Sequence, residues 1–262
     1  MKIKDTFKNI MSYSAMTAVL KSDEVLYKTE FDYSKYYKMF FNYMADEGYK
    51  EYTQTSFLRE KIDEFGNKFI IEYEQSIITS DNDEFQKKKY LENLFEVKKK
   101  FVGNLFEMIC IIYFTQCDLS KELYGYRLLN WDNGTENDML GSDGSLTDDT
   151  GLLDIPINAK HSLNLTIDKD IPFHKLMSYH DRKMSELIKN KKWELVEKYD
   201  KLHGVIITDI DVGSSTLARK FKKEKFPDIY IINCVTLWEA MGCTDGGITK
   251  QNAWKTGKKW CM

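Results

Sequence analysis

A polar pair near the middle of the chain has the residue types that metal-assisted hydrolysis of a phosphodiester requires. Asn158 and Lys160 lie in residues 152–160, which alternate between apolar and polar side chains as a β-strand does. Because side chains alternate between strand faces, the amide and the ammonium share one face, about 6.6 Å apart. Amide oxygens bind Mg²⁺, and an ammonium beside the attacking water stabilises charge on the phosphate. The alternative interpretation is a polar strand face in contact with solvent.

Such a site also needs a carboxylate, and the segment before the strand is rich in them. Residues 130–155 contain seven acidic residues and no Lys or Arg. We prefer Asp138, because its separation of 20 residues from Asn158 suits a hairpin of two strands. Asp143, Asp148 and Asp149 remain alternatives if the register of the hairpin differs.

A second acid, Glu107, lies in an apolar helix predicted over residues 102–114. It is the only charged residue between Asn104 and Asp118. A carboxylate in a buried helix is costly unless it is paired, hydrogen-bonded or bound to a metal. Glu107 is therefore either a structural hydrogen-bond acceptor or part of the site.

The order of Glu107, Asp138 and Asn158-Ala-Lys160 resembles the core of the PD-(D/E)XK nucleases. The most similar local pattern is that of type II restriction endonucleases of the MspI type, in which an Asn stands two residues before the Lys. Residues 155–162 (IPINAKHS) are similar to the catalytic strand of these enzymes, and residues 103–107 look like their leading helix.

The resemblance implies an α/β fold with a restriction-endonuclease-like core, in which helices flank a central mixed β-sheet. It implies Asp138 and Asn158 as Mg²⁺ ligands, Lys160 beside the attacking water, and Glu107 as an outer-sphere or second-metal carboxylate. The asparagine replaces the usual acid, and the loss of charge favours one metal ion over two. Mn²⁺ can substitute for Mg²⁺, and the products carry 5′-phosphate and 3′-hydroxyl ends.

Residues that could contact DNA follow the catalytic strand and fill the C-terminal tail. Lys and Arg outnumber Asp and Glu by nine to four in residues 217–262. Lysines bind phosphates, while Gln and Asn can pair with adenine. The predicted DNA-binding residues are His161, Ser162, Lys250, Gln251, Asn252, Lys255, Lys258 and Lys259. The alternative for the tail is a solvated, frayed terminus.

Composition limits the classes of protein that fit. The chain has 262 residues, of which 42% are hydrophobic and 14% aromatic, and this excludes a mainly disordered protein. Its net charge of −3 argues against a protein that coats phosphates indiscriminately. Five cysteines without a CxxC pair argue against a zinc ribbon or a disulfide framework. With no signal peptide or membrane-length apolar run, we expect a cytoplasmic protein.

The pattern of elements predicts two regions. Residues 1–100 form a helical N-terminal region for accessory, DNA-binding or dimerisation roles, with one helix starting at about Glu84 after an N-cap in residues 80–83. Residues 101–262 form the nuclease core with its basic tail. The predicted elements of the second half are helices at 171–199, 217–225 and 235–241 and strands at 203–210 and 228–234.

We therefore expect a sequence-specific, Mg²⁺-dependent endonuclease of double-stranded DNA, of the type II restriction class, without a nucleotide cofactor. A homodimer would suit a palindromic target. Two alternatives remain: a repair, recombination or transposition nuclease with the same core, and a non-catalytic helical DNA-binding or interaction protein.

Overall fold

The chain is an α/β protein in which helices flank a five-stranded mixed sheet. The computed structural model describes residues 31–44, 57–116, 126–131, 142–148, 150–161, 171–200, 203–209 and 228–232. Within these residues, four helices come first: α1 (Ser34–Tyr43), α2 (Phe57–Thr79), α3 (Glu84–Glu92) and α4 (Leu94–Gln116). They are followed by β1 (Arg127–Trp131), β2 (Gly144–Thr147), β3 (Ile155–Lys160), α5 (Ile171–Lys189), α6 (Trp193–Tyr199), β4 (Gly204–Thr208) and β5 (Ile229–Ile232).

The sheet order is β1-β2-β3-β4-β5, with β3 in the centre. Strands β1, β2 and β3 pair antiparallel, with Gly144 opposite Ile157, whereas β3, β4 and β5 pair parallel, with Asn158 beside Ile206. The start of β2 therefore lies at the same edge of the sheet as the ends of β3 and β4. The predicted α/β class with a central mixed sheet is confirmed.

Helices cover both faces of β3. Ile155, Ile157 and Ala159 belong to the main hydrophobic core, to which α4 contributes most of its length. The other face lies under α5, because a Cβ placed on Gly204 of β4 would meet the side chain of Leu176 at 3.2 Å. Since Asn158 and Lys160 alternate with the core residues, they stand on this second face.

The N-terminal helices share the core of the sheet. Stacked rings connect α1, α2 and α4: Phe101 lies 4.7 Å from Tyr37 and 4.1 Å from Phe69, measured between ring centroids. Helices α2 and α4 cross at Gly66, where a Cβ would lie 2.5 Å from Cγ1 of Val102. Residue 100, the predicted boundary between the two regions, lies inside the continuous helix α4.

Several predicted elements are found with adjusted ends. Helix α3 begins at Glu84, and the side chain of Asp83 caps it by accepting a 2.8 Å hydrogen bond from the backbone N–H of Gln86. The helix predicted over 171–199 is two helices, because the chain turns at Lys191 with a φ of 56°. The predicted helices 217–225 and 235–241 lie outside the described residues. No helix within the described ranges has the length and apolarity needed to cross a bilayer.

Candidate active site

A cavity of about 360 Å³ lies between α4 and the edge of the sheet where β2 begins and β3 ends. Glu107 reaches it from α4, Asp143 from the residue before β2, and Lys160 and His161 from the end of β3. The cavity therefore brings together two predicted catalytic residues, one of the alternative acids and one predicted DNA-binding residue.

Asp143 is fixed against the central strand by two hydrogen bonds. Its backbone N–H donates to the carbonyl of Ile157 at 2.8 Å, and its Oδ2 accepts from the backbone N–H of Ala159 at 2.6 Å. Because this carboxylate is anchored to backbone, its position follows directly from the register of β2 on β3. The preferred acid, Asp138, lies outside the described residues, so its role stays a prediction.

Glu107 accepts a structural hydrogen bond, as one of its two interpretations predicts. Its Oε2 accepts a hydrogen bond from the indole nitrogen of Trp131 at 3.1 Å, which connects α4 to β1. The side chain is only partly buried and lines the cavity. The tryptophan therefore orients a carboxylate that remains accessible from the cavity.

Lys160 and Asn158 differ in their surroundings although they share a strand face. Asn158 is fully buried and is not among the residues that line the cavity. The interpretation of this face as solvent-exposed is thus wrong for Asn158, because α5 covers it. Lys160 is half-buried, and its ammonium has no ion-pair partner within the described parts of the chain. Its charge is available to an anionic substrate.

His161 is held between two carboxylates. Its Nδ1 lies 2.5 Å from Oδ2 of the fully buried Asp209, and its Nε2 lies 3.4 Å from Oδ1 of Asp63. Burial is the largest single effect on the pKa of His161 and lowers it, but the hydrogen bonds and charges of Asp209 and Asp63 together outweigh burial and raise that pKa. The imidazole therefore holds its proton more strongly than a free imidazole does.

The buried thiol of Cys110 reports the electrostatics around this site. Burial is the main cause that raises the pKa of Cys110, and the negative charges of Glu107, Asp143 and Asp209 raise it further. Three carboxylates thus act on one point behind the cavity. Of these three carboxylates, Glu107 and Asp143 line the cavity, whereas Asp209 is paired with His161.

Two side chains that line the cavity carry carboxylate oxygens, the kind of atom that hard metal ions bind. Glu107 and Asp143 offer carboxylate oxygens, and both ring nitrogens of His161 already face carboxylates. Among the described residues, no group of three or more His, Cys, Asp or Glu is placed to hold a metal ion. Mg²⁺ suits such a set, because it keeps several waters and takes only one or two protein carboxylates.

The remaining predicted residues do not meet at this cavity. Asp148 follows the far end of β2 and pairs with Lys198 at 3.5 Å, roughly 16 Å of extended chain from Asp143. Asp149 and the DNA-binding candidates other than His161 lie outside the described residues. These candidates are Ser162, Lys250, Gln251, Asn252, Lys255, Lys258 and Lys259.

A larger cavity, of about 650 Å³, lies between α1 and the end of α2. Lys35 pairs there with Glu72 at 3.3 Å, and the hydroxyl of Tyr36 donates to the same carboxylate. The lysine at this cavity is therefore already paired, whereas Lys160 at the smaller cavity has no ion-pair partner among the described residues. The smaller cavity is therefore the better candidate for chemistry.

Sequence reasoning missed Asp209 and Asp63. Asp209 directly follows the buried run of β4, and acids at the ends of parallel strands meet at one sheet edge, so this signal was present in the sequence. Asp63 lies on α2 among other charged residues and gives no such signal. No family model, no curated protein and no solved structure matches the chain. The functional argument therefore depends on the site itself.

Proposed function

We propose that the chain is a Mg²⁺-dependent endonuclease that hydrolyses phosphodiester bonds of duplex DNA at specific sequences, as type II restriction enzymes do. The observation that carries the proposal is that Glu107, Asp143 and Lys160 line one cavity at the edge of the central strands. The mixed sheet with α4 on one face supports a restriction-endonuclease-like core. The order of the three residues in the chain supports the same assignment.

Glu107 and Asp143 would hold Mg²⁺ in this proposal. When bound, the ion supplies charge neutralisation on the phosphate and lowers the pKa of a water. Asn158, predicted as a ligand from the resemblance, does not line the cavity, and its role stays a prediction. Asp143, one of the alternative acids, is proposed as the ligand because its carboxylate is anchored at the cavity, while Asp138 stays a predicted ligand.

Lys160 acts on the attacking water and on the phosphate. Its ammonium positions the water and stabilises the negative charge that develops as the water oxygen bonds to phosphorus. The attacking water gives up a proton to solvent, the bond between phosphorus and the 3′-oxygen breaks, and that oxygen takes a proton from solvent. The products are a 5′-phosphate and a 3′-hydroxyl. A half-buried lysine without a carboxylate partner in the described structure suits this task.

A limit digest tests the function. Purified protein is incubated with phage DNA and Mg²⁺, and the products are separated on a gel. Discrete bands with 5′-phosphate ends are expected, because a restriction enzyme cuts at fixed sequences. Smears or single nicks would instead support the repair or recombination alternative. Intact DNA in both Mg²⁺ and Mn²⁺ would contradict the enzyme assignment and leave the non-catalytic alternative.

Two substitutions connect such activity to this cavity. Lys160→Ala and Asp143→Asn should each slow cleavage at least about 100-fold, and Lys160→Ala should still bind DNA. Asn at position 143 keeps an oxygen that can accept from the Ala159 N–H, so the fold should survive. The matched control is Asp148→Asn, which removes the same charge at the far end of β2. Normal cleavage by the Lys160 variant would remove this residue from the site.

A further inference from the structure

One strip of α4 forms the α4 side of the cavity and contains groups that the proposed chemistry does not use. Gly103 and Asn104 lie three and four residues after Lys100, and Glu107 lies four and three residues after them, so the four share one face of the helix. All four line the cavity. Lys100 and Glu107 are about 10 Å apart along the helix axis. The strip therefore extends from the candidate metal site toward the N-terminus of α4.

Packing does not explain the glycine in this strip. A Cβ placed on Gly103 would meet no heavy atom within 4 Å in the described structure. Gly66, the other helical glycine at the same crossing of α2 and α4, is explained by its close approach to Val102. Glycine destabilises a helix interior relative to alanine. At position 103 it keeps the helix surface bare where the cavity is open.

Lys100 is the cation of the strip. It is half-buried and has no hydrogen bond or ion pair among the described residues. Its neighbours are engaged: Lys99 pairs with Glu96 at 3.7 Å, and Lys98 donates to the side chain of Asn67 at 2.7 Å. Glu96, four residues before Lys100, would be the usual helical partner but pairs with Lys99 instead. Lys100 thus adds a second unpaired positive charge to the cavity wall, beside that of Lys160.

We propose that the sugar–phosphate backbone of the DNA strand to be cut lies along this strip, with Lys100 binding a phosphate and Gly103 giving room for the backbone. The inference rests on the proposed nuclease function and names a binding track for its substrate. Phosphates of one strand advance 3.4 Å per nucleotide along the duplex. The separation of Lys100 from Glu107 thus places its phosphate within a few nucleotides of the bond that is cut.

Binding without cleavage tests the lysine. The affinity for a fluorescein-labelled DNA duplex is measured by anisotropy in EDTA over a series of salt concentrations. Lys100→Gln should weaken binding about three- to tenfold and lower the slope of log K against log salt by about 1, because one phosphate contact is lost. Lys175→Gln is the matched control, because this exposed lysine lies on α5 across the sheet. It should bind as the wild type does.

Substitution of the glycine tests the room for the backbone. Gly103→Ala should raise the melting temperature by about 2 °C, because alanine stabilises a helix and meets no neighbour here. The same change should weaken DNA binding severalfold, and Gly103→Leu should weaken it more. A stabilised variant that binds less DNA cannot be explained by misfolding.

The outcomes separate this inference from the proposed function. If the wild type cuts DNA while Lys100→Gln and Gly103→Leu bind the duplex normally, the backbone track is wrong and the nuclease assignment stands. If both variants bind less duplex but the wild type cuts nothing in Mg²⁺ or Mn²⁺, the track is supported and the nuclease assignment is wrong. A wild type that binds no duplex overturns the track. Tighter binding of a matched RNA duplex would also overturn its assignment to DNA.

Discussion

His161 connects three elements that are distant in the chain. It directly follows Lys160 on β3, and it contacts Asp209 at the end of β4 and Asp63 on α2. Because it is the neighbour of Lys160, its fixation limits the positions that the lysine backbone can take. The carboxylate–imidazole–carboxylate arrangement thus helps to fix the end of β3 at the candidate site.

This arrangement predicts a pH-dependent contribution to stability. Burial lowers the pKa of His161, but Asp209 and Asp63 raise it above its ordinary value of about 6.5. A raised pKa in the folded state gives stability that is fully present below about pH 6.5 and is lost as pH rises through the folded value. His161→Gln should therefore lower the free energy of unfolding by about 1–3 kcal/mol in mild acid, and by less in mild alkali.

Urea unfolding at several pH values measures this difference. His174→Gln is the control, because His174 is exposed on α5, and its effect on stability should be small at every pH. If His161→Gln lowers the free energy of unfolding by the same amount from mild acid to mild alkali, an ionised pair is contradicted.

The sequence predicted part of the site, and the reasons are local. Strand alternation places Asn158 and Lys160 on one face, and the apolar neighbours of Glu107 mark it as unusual. The burial of Asn158 was not predictable, because it depends on α5 packing over β3. The choice among acids depended on where β2 begins, and four residues, Gly144–Thr147, carry too little alternation to indicate that.

The crossing of α2 over α4 gives a prediction at the scale of elements. Alanine has a higher helix propensity than glycine, yet Gly66→Ala should destabilise the protein by about 1–3 kcal/mol, because its Cβ would overlap Val102 and force the helices apart. Urea unfolding of Gly66→Ala beside Gly103→Ala checks this, since the two changes should have opposite signs. If Gly66→Ala and Gly103→Ala both stabilise the protein, then α2 and α4 are less closely packed at Gly66 than the 2.5 Å approach to Val102 indicates.

Helix ends were predictable where their signals are local. The cap of α3 lies in its own sequence, since Asp83 precedes Glu84 and bonds to Gln86. The break between α5 and α6 has no such signal, because the chain turns at Lys191, which takes the left-handed conformation, and no glycine or proline marks the turn. The ends of β4 and β5 fall within the predicted strands, because apolar runs indicate buried strands but their register comes from pairing.

At the scale of the whole molecule, the helices and the sheet share one hydrophobic cluster that runs from Tyr36 to Ile232. We therefore expect one cooperative thermal transition. Far-UV circular dichroism reports the helices, and the fluorescence of the five tryptophans includes that of Trp131, which is buried on β1. Their midpoints should coincide, because neither part has a separate core. Two separated transitions would support independent domains divided near residue 100.

The order of the strands in the sheet is the same as their order in the chain. During synthesis, each described strand after β1 therefore pairs with the strand made just before it, and no earlier pair of strands has to separate. Growth of the sheet can keep pace with translation, from the antiparallel hairpin toward β5. The edge of the site on β4, where Asp209 lies, is then completed only after α4 and β3 are in place.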